Sequence, residues 1–341
     1  MRLVFVTQQV DPASPVLGAT VAKLTALAAL VDEVVVLADG AVEGALPANC
    51  TVHRFHAGSR AGRGVRFERA LAQALRGRPR PAAVVAHMCP IYAVLAAPVA
   101  RPLGVRVLLW FTHWKASRLL HLAERLATDV ITVEPRSFPL RSEKVRPIGH
   151  GIDLSAFACV ERSAKAGLDA LALGRTSPAK GLEVVVRGVA LAPAVTLAVH
   201  GPSLTEEEQA HRLALERLVA ELGVGARVTI GDAVPRDEVP TLLAGADVLV
   251  NNMRAGATDK VVFEAAATCL PVLASNPALD GLLPEALRFE REDPASLARR
   301  LVELQTADRA ALGRELRSGV ERDHGVEGWA ARVVAIAGGA R

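Results

Sequence analysis

Residues 254–275, RAGATDKVVFEAAATCLPVLAS, place a loop of small residues, a helix and a buried-looking strand in one stretch. The pattern predicts the helix over residues 261–268 and the strand over residues 271–274. Free backbone N–H groups and a partial positive charge at a helix N-terminus favour anions. Asp259 and Lys260 at the helix start, with the lone internal acid Glu264, therefore predict a site for a phosphorylated ligand.

The alternation of strands and helices extends outward from this stretch in two series, separated by the less regular residues 146–167. Such alternation predicts parallel sheets covered on both faces. We therefore predict an α/β fold with two doubly wound, Rossmann-like domains facing across a cleft, with ligands at the carboxyl ends of the strands. The predicted segments are a first domain (1–150), a linker (151–167), a second domain (168–320) and a C-terminal helical segment (321–341).

The composition is that of an ordinary globular protein, with 51% apolar and 22% charged residues. No apolar run reaches the roughly 18 residues that a membrane-spanning helix needs, and the start, MRLVFVTQQ, is typical of a strand and not of a signal peptide. The four cysteines, Cys50, Cys89, Cys159 and Cys269, are scattered without a CxxC pair. This spacing favours a reducing compartment and predicts no zinc site.

Positive charge is concentrated in the first half. Residues 1–150 contain 19 Lys and Arg against 10 Asp and Glu, and seven arginines lie between Arg60 and Arg80. Such a patch can attract anionic lipid or nucleic acid. Nucleic acid is disfavoured, because Phe67 is the only aromatic residue in the patch that could stack on bases. A solvated helix face is the alternative.

A second anion site is predicted after the strand at residues 170–173. Gly174 permits a tight turn out of this strand, and Arg175 and Lys180 flank the start of the next helix. Two cations beside a helix start suit a diphosphate, because Arg can bind it through two N–H groups and Lys acts as a point charge. A solvated Arg and Lys in a surface loop remain the alternative.

Glu264 lies on the apolar face of its predicted helix, where an acid is costly unless it has a partner. A ribose diol would be such a partner, because a carboxylate can accept both hydroxyl hydrogens. The alternative is a salt bridge with Lys260, four residues earlier.

Other residues fall where ligands of such folds bind. Gly18 closes the loop after the first strand, where small residues let a ligand approach the backbone, although the loop is not a GxGxxG motif. His113 and His87 each follow a predicted strand, and His150 lies in the interdomain segment. Each histidine is either structural or a substrate contact. The sequence contains no nucleophile elbow, HExxH motif or carboxylate cluster.

Taken together, these segments resemble the retaining glycosyltransferases of family 4, which have the two-domain GT-B fold. The resemblance covers nearly the whole chain and is strongest over residues 173–275. The matching segments are GHGIDLSAF (149–157), GRTSPAKG (174–181), VHGPS (199–203), ARVTIGDAVPRDEVPTLLAGADVLVNN (226–252) and DKVVFEAAATCLPVLAS (259–275).

The resemblance implies roles for individual residues. Arg175 and Lys180 would hold the donor diphosphate and act in catalysis with His113, which matches a histidine of the family's first domain. Glu264 matches the second Glu of the E-x7-E motif and would bind the ribose. The loop at residues 15–20 would lie beside the donor phosphates, and the C-terminal helix would pack back on the first domain. The full predicted donor site is Gly18, Gly174, Arg175, Lys180, Gly256, Ala257, Thr258, Asp259, Lys260 and Glu264.

One position departs from the family pattern. Gly256 stands where the family commonly has a Glu that contacts the donor sugar. Asp259 or backbone N–H groups would have to replace that acid. Because the DK sequence before the helix resembles a branch of the family, we do not interpret Gly256 as a sign of inactivation.

We therefore predict a hexosyltransferase that uses a UDP- or GDP-sugar, retains the anomeric configuration and needs no cofactor or divalent metal. The acceptor would be a glycan, a lipid-linked molecule or a small molecule of cell-envelope synthesis. The predicted location is cytoplasmic, with docking to the anionic inner membrane face through residues 60–80 and no nucleic-acid partner. Two alternatives are a nucleotide-sugar 2-epimerase of the same fold and a catalytically silent nucleotide-sugar-binding subunit.

Overall fold

The structure is a computed structural model that describes residues 1–14, 17–162 and 166–339. Two positions of the predicted loop at residues 15–20, Pro15 and Val16, lie outside the described residues, as do three positions of the predicted linker and the last two residues of the chain. The chain divides into two compact units. The first unit contains Met1–Asp153 and Asp323–Arg341, and the second contains Leu154–Arg322.

Within the described residues, the first unit has one sheet of seven parallel strands in the order β3-β2-β1-β4-β5-β6-β7. The strands are β1 (Arg2–Val10), β2 (Glu33–Ala41), β3 (Cys50–Arg54), β4 (Ala83–His87), β5 (Arg106–Trp110), β6 (Asp129–Thr132) and β7 (Val145–Pro147). The central strands are continuous apolar runs because helices cover both faces of the sheet. The strand order reverses between β1 and β4, which is where sheets of this kind bind ligands.

The helices between these strands are α1 (Ala19–Ala28), α2 (Arg60–Arg76), α3 (Pro90–Ala100) and α4 (Arg118–Leu126). Helix α2 begins seven residues before its apolar pattern does, because Ser59 caps it by accepting a hydrogen bond from the Gly62 N–H. Its buried face packs through Phe67, whose ring lies 5.5 Å from that of Phe55 and 5.7 Å from that of Tyr92.

In the described part of the second unit, five parallel strands form a sheet in the order β10-β9-β8-β11-β12. The strands are β8 (Leu168–Leu173), β9 (Val195–His200), β10 (Val228–Gly231), β11 (Val248–Asn251) and β12 (Val272–Ala274). The helices are α5 (Leu182–Ala190), α6 (Glu206–Glu221), α7 (Val239–Gly245), α8 (Lys260–Ala267), α9 (Pro294–Thr306) and α10 (Arg309–Asp323). The order reverses between β8 and β11. The predicted α/β class with two doubly wound parallel sheets is confirmed.

Two elements were not predicted. Strand β7 is three residues long and contains Arg146 and Pro147, so it lacks the apolar run by which strands are recognised. Helix α10 buries two glycines, Gly313 and Gly319, beside Leu316 and Val320, so its buried stripe carries little apolar signal.

The last helix, α11 (Val326–Ala337), belongs to the first unit. Its Trp329 is fully buried and meets the Trp110 ring edge to face at 5.5 Å, and the Lys23 ammonium lies within 5.6 Å of both ring centres. None of the helices in the described residues is long and apolar enough to cross a membrane.

Cys159 and Cys269 form a disulfide, with their Cα atoms 4.9 Å apart. The scattered spacing of the cysteines in the sequence gave no indication of this pair. The two residues are 110 positions apart in the sequence, and the fold brings them together because the Val160 N–H donates to the Thr268 carbonyl (3.2 Å). Cys50 and Cys89 are free thiols.

Candidate functional site

The predicted donor residues of the second unit converge where β8 and β11 lie side by side. The loop after β8 and the loop after β11 are joined by hydrogen bonds, since Asn252 Nδ2 donates to the Gly181 carbonyl (2.9 Å) and the Arg254 N–H donates to the Ala179 carbonyl (3.0 Å). Gly181 has a φ of +55°, and a Cβ atom there would lie 2.5 Å from Asn252 Nδ2. The close approach of the two loops therefore depends on glycine at position 181.

Lys180 holds its ammonium group over the end of β8. Nζ donates to the Leu173 carbonyl (3.2 Å) and forms an ion pair with Asp259. A Cβ atom on Gly174, which has a φ of +127°, would lie 2.4 Å from Nζ. Glycine at this position therefore makes room for the ammonium group at the point where the strand order reverses.

Asp259 precedes α8 at the N-cap position, yet its side chain makes no capping hydrogen bond. Its Oδ2 accepts instead from Lys180 and from Asn251 Nδ2 (2.8 Å). Asn251 is the last residue of β11, so this carboxylate joins the ends of β8 and β11.

Arg175 also has a carboxylate partner. Its Nη2 lies 2.6 Å from Oε1 of Glu208, which is buried in the first turn of α6. The Leu204 N–H donates to the other Glu208 oxygen (2.7 Å). About half of the Arg175 side chain is exposed (47%), so the guanidinium is anchored on one side and accessible on the other.

Thr176, the residue after Arg175, contacts the buried side chain of His211 through its carbonyl group. The sequence did not reveal this histidine as part of the site. His211 Nδ1 lies 2.9 Å from the Thr176 carbonyl, and Nε2 lies 2.7 Å from Glu183 Oε1. Both partners can accept, so the imidazolium form of His211, in which both ring nitrogens donate, satisfies both contacts. The hydrogen bond with Glu183 accordingly raises the pKa of His211, and the same bond lowers the pKa of Glu183.

Glu264 is buried on α8, with 2% of its surface exposed. Arg236 Nη2 lies 2.6 Å from its Oε1 and Lys260 Nζ lies 3.5 Å from the same atom. Burial alone would raise the pKa of Glu264, but the charges of Lys260 and Arg236 hold it below its usual value. The Arg236 guanidinium also lies 5.3 Å from the centre of the Phe157 ring.

The salt bridge between Lys260 and Glu264 is therefore present, and the closer partner, Arg236, was missed. Arg236 lies in the loop before α7. No local pattern marks it, because its contact depends on a residue 28 positions away.

The loop at residues 256–258 leads into Asp259. Gly256 has a φ of +82°, a conformation that favours glycine. Asn276 Nδ2 donates to the carbonyls of Arg254 (3.2 Å) and Ala257. The Thr258 hydroxyl is buried and has no hydrogen-bond partner among the described residues.

Gly18 and His113 lie in the first unit. Gly18 is the N-cap of α1 with a φ of −54°, so its conformation does not require glycine. His113 Nδ1 accepts from the Lys115 N–H (3.0 Å), which places the proton of a neutral ring on Nε2. Partial burial and the charge of Lys115 lower the pKa of His113.

The other two candidate histidines are also in the first unit and are buried. His87 Nδ1 lies 3.1 Å from the Thr7 hydroxyl at the switch from β1 to β4. Burial and the nearby Lys23 charge lower the pKa of His87 to about 3. His87 is therefore neutral at physiological pH. His150 is flanked in the sequence by Gly149 and Gly151 and is also buried.

Over residues 1–14, 17–162 and 166–339, no group of three or more His, Cys, Asp or Glu side chains is placed to hold a metal ion.

Comparison with known proteins gives a family match over the part of the chain that contains this cluster. Residues 167–307 match the family described as "Glycosyl transferases group 1". The chain is 33% identical over 222 residues to a D-inositol 3-phosphate glycosyltransferase of Mycolicibacterium vanbaalenii, and the match covers 58% of this chain and 48% of that protein. A second protein of that name, from Mycolicibacterium gilvum, is 30% identical over 220 residues (59% and 47%). The chain spans about half the length of these curated relatives.

Solved structures share the architecture over almost the whole chain. Sucrose-phosphate synthase from Thermosynechococcus elongatus superposes with a TM-score of 0.80 at 19% identity, covering 98% of both chains. HepE from Anabaena, in complex with UDP and glucose, superposes with a TM-score of 0.78 at 17% identity, covering 98% of this chain and 99% of that one. Likeness at such identities shows the fold, and the predicted GT-B fold is confirmed.

Proposed function

We propose that this protein is a retaining glycosyltransferase of family 4 that moves a hexosyl group from a UDP- or GDP-sugar to an acceptor hydroxyl. One observation carries the proposal. In a segment that matches the group 1 glycosyl transferases, Lys180 and Arg175 lie at the carboxyl edge of a doubly wound sheet, where β8 and β11 meet and α8 begins. Sheets of this kind bind ligands at such a point, and cations there suit a diphosphate.

The departing nucleoside diphosphate gains negative charge as the glycosidic bond breaks. In the proposed mechanism Lys180 supplies a point charge and the exposed side of Arg175 supplies paired N–H groups. Both are in place before the reaction, and such preorganised donors stabilise charge that develops in the transition state. We propose that they make a divalent metal unnecessary, so transfer should continue in the presence of EDTA.

Glu264 would accept the ribose hydroxyls of the donor. Arg236 and Lys260 both contact Oε1, and we propose that Oε2 accepts from the ligand. In the first unit, His113 would donate from Nε2 to a sugar or acceptor hydroxyl, since its Nδ1 is already used by the backbone.

The acceptor would be a glycan, a lipid-linked molecule or a small polyol of envelope synthesis, and the names of the curated relatives make inositol phosphate a sensible first test. The basic helix α2 would dock the cytoplasmic protein on an anionic membrane. Its exposed Arg60, Arg69 and Arg76 have no hydrogen-bond or ion-pair partner in the part of the chain that the structure describes.

The test begins with a binding screen of UDP-, GDP-, ADP- and TDP-sugars, followed by transfer assays on an acceptor panel. Arg175→Ala and Lys180→Ala should each lower turnover roughly 100- to 1000-fold, measured at a temperature at which circular dichroism shows each variant folded. Arg217→Ala, which removes an exposed arginine of α6, is the matched control.

Near-normal turnover in both Arg175→Ala and Lys180→Ala would overturn the assignment. Donor binding without transfer to any acceptor would favour a silent nucleotide-sugar-binding subunit. Release of an epimerised nucleotide sugar without acceptor would favour a 2-epimerase.

A further inference from the structure

Asp259 is the residue whose environment is least expected from its position. An Asp at an N-cap usually accepts a hydrogen bond from a backbone N–H of the first helical turn. Asp259 makes no such bond, although it stands directly before α8. Its Oδ2 is instead directed to Lys180 and to Asn251 Nδ2 (2.8 Å). The Asp259 side chain therefore binds Lys180 and does not cap the first turn of α8.

The Lys180 ammonium has three N–H donors. One reaches the Leu173 carbonyl (3.2 Å) and one reaches Asp259, so within the described residues one donor remains for a ligand. A lysine side chain has a long, flexible stem and gives up rotamer entropy when it is fixed. With two acceptors holding the ammonium group before a ligand arrives, less of that entropy has to be lost on binding.

We propose that Asp259 is a positioning residue that aims the third N–H of Lys180 at the donor diphosphate, and that it does not contact the donor sugar. This inference rests on the proposed function, because it assumes that Lys180 binds a diphosphate. It also assigns the DK sequence before α8 a task other than replacing the acid absent at Gly256.

Electrostatics supports this assignment over a direct contact with the donor. An unpaired carboxylate close to a diphosphate would repel it, and pairing with Lys180 offsets that repulsion. About four-fifths of the Asp259 side chain is buried, with 20% exposed, and Asn251, which is itself buried, fixes it from the end of β11. A carboxylate that is fixed in this way can orient the Lys180 ammonium group but has little freedom to bind the donor sugar.

The experiment is a double-mutant cycle on Lys180→Ala and Asp259→Asn, read by calorimetric binding of UDP and of UDP-glucose and by turnover. Asp259→Asn keeps the shape of the side chain and removes its charge. It should weaken UDP and UDP-glucose by the same factor, about 10-fold, and should add no further loss to Lys180→Ala. Glu216→Gln, which removes a surface carboxylate paired with Arg212 (3.1 Å), is the control and should leave both affinities unchanged.

Two results would overturn the positioning role while Lys180→Ala still weakens UDP. One is a loss in Asp259→Asn that appears with UDP-glucose and not with UDP, which would identify a sugar contact. The other is a loss of affinity in the double variant that equals the product of the losses in Lys180→Ala and Asp259→Asn. Unchanged UDP affinity in Lys180→Ala would instead overturn the proposed function, and the inference with it.

Discussion

The two units place charge in opposite ways on the same kind of sheet. In the second unit, the edge at β8 and β11 carries ionised side chains that are paired and largely buried, with Lys180 on Asp259 and Glu264 on Arg236. In the first unit, the edge at β1 and β4 carries a neutral His87. Arg60, Arg69 and Arg76 of α2 are exposed and have no ion-pair partner among the described residues. Under the proposed function, this contrast corresponds to a diphosphate at the edge of the second unit, a neutral hydroxyl in the first unit, and an anionic surface against α2.

The largest effect on stability should come from breaking the buried ion pair between Arg236 and Glu264 in the second unit. Arg236→Met leaves Glu264 with Lys260 alone, and removing one partner of a buried pair typically costs about 3–5 kcal/mol. We expect a fall of that order in the free energy of unfolding, measured by urea denaturation at pH 8. Lys260→Met is the control, and its effect should be smaller because its contact is longer, 3.5 Å against 2.6 Å.

The same variant should change the pH dependence of stability. In the unaltered protein the pKa of Glu264 is depressed, so the stability it contributes is present above the usual carboxyl pKa and lost only as pH falls through the lower folded value. In Arg236→Met the burial of Glu264 has less opposing charge, so its folded-state pKa rises. The loss in the free energy of unfolding should therefore be largest at pH 8 and should shrink as pH falls towards 5, because protonation neutralises the buried carboxylate. A pH profile parallel to that of the unaltered protein would contradict this account of Glu264.

A smaller effect should follow from altering His113, the proposed hydroxyl contact of the first unit. His113→Ala removes one N–H donor and should lower turnover about 10-fold, the value of one hydrogen bond, without changing the dissociation constant of UDP. Calorimetry and a transfer assay measure the two separately. If UDP affinity fell as much as turnover, the division of roles between the two units would be wrong.

The smallest effect per residue should come from replacing exposed arginines of α2, and it should fall on membrane binding. Replacing Arg69 and Arg76 by Ser should weaken binding to anionic vesicles by about 1 kcal/mol per arginine, and the loss should disappear at high salt. Flotation with phosphatidylserine vesicles measures it, and Arg217→Ser in the second unit is the control. Salt-independent binding, or none by the unaltered protein, would indicate that α2 is a solvated face.

The sequence predicted the parts of this molecule that are encoded locally. Strands such as β4 and β11 are short apolar runs bounded by helices. The segment GRTSPAKG contains both proposed diphosphate cations, Arg175 and Lys180, in one short stretch of sequence. The missed features depend on distant partners. Glu208 lies 33 positions beyond Arg175, and Arg236 lies 28 positions before Glu264, so only the folded sheet brings each pair together.

The same limit applies to the contacts of Asp259 and of the cysteines. The DK sequence indicated an acid near the ligand but gave no direction for its side chain, which turns towards the end of β11. The disulfide of Cys159 and Cys269 joins residues that no motif relates.

The return of α11 to the first unit makes the second unit an insertion in the chain. The Ile152 N–H donates to the His324 carbonyl (2.8 Å) and the Val326 N–H donates to the Ile152 carbonyl (2.9 Å), so the two crossings between units lie side by side. During synthesis, which delivers the N-terminal part first, Trp110 cannot be covered until Trp329 has been made. The second unit can therefore finish folding while the first is still incomplete, which reverses the usual order of domain maturation.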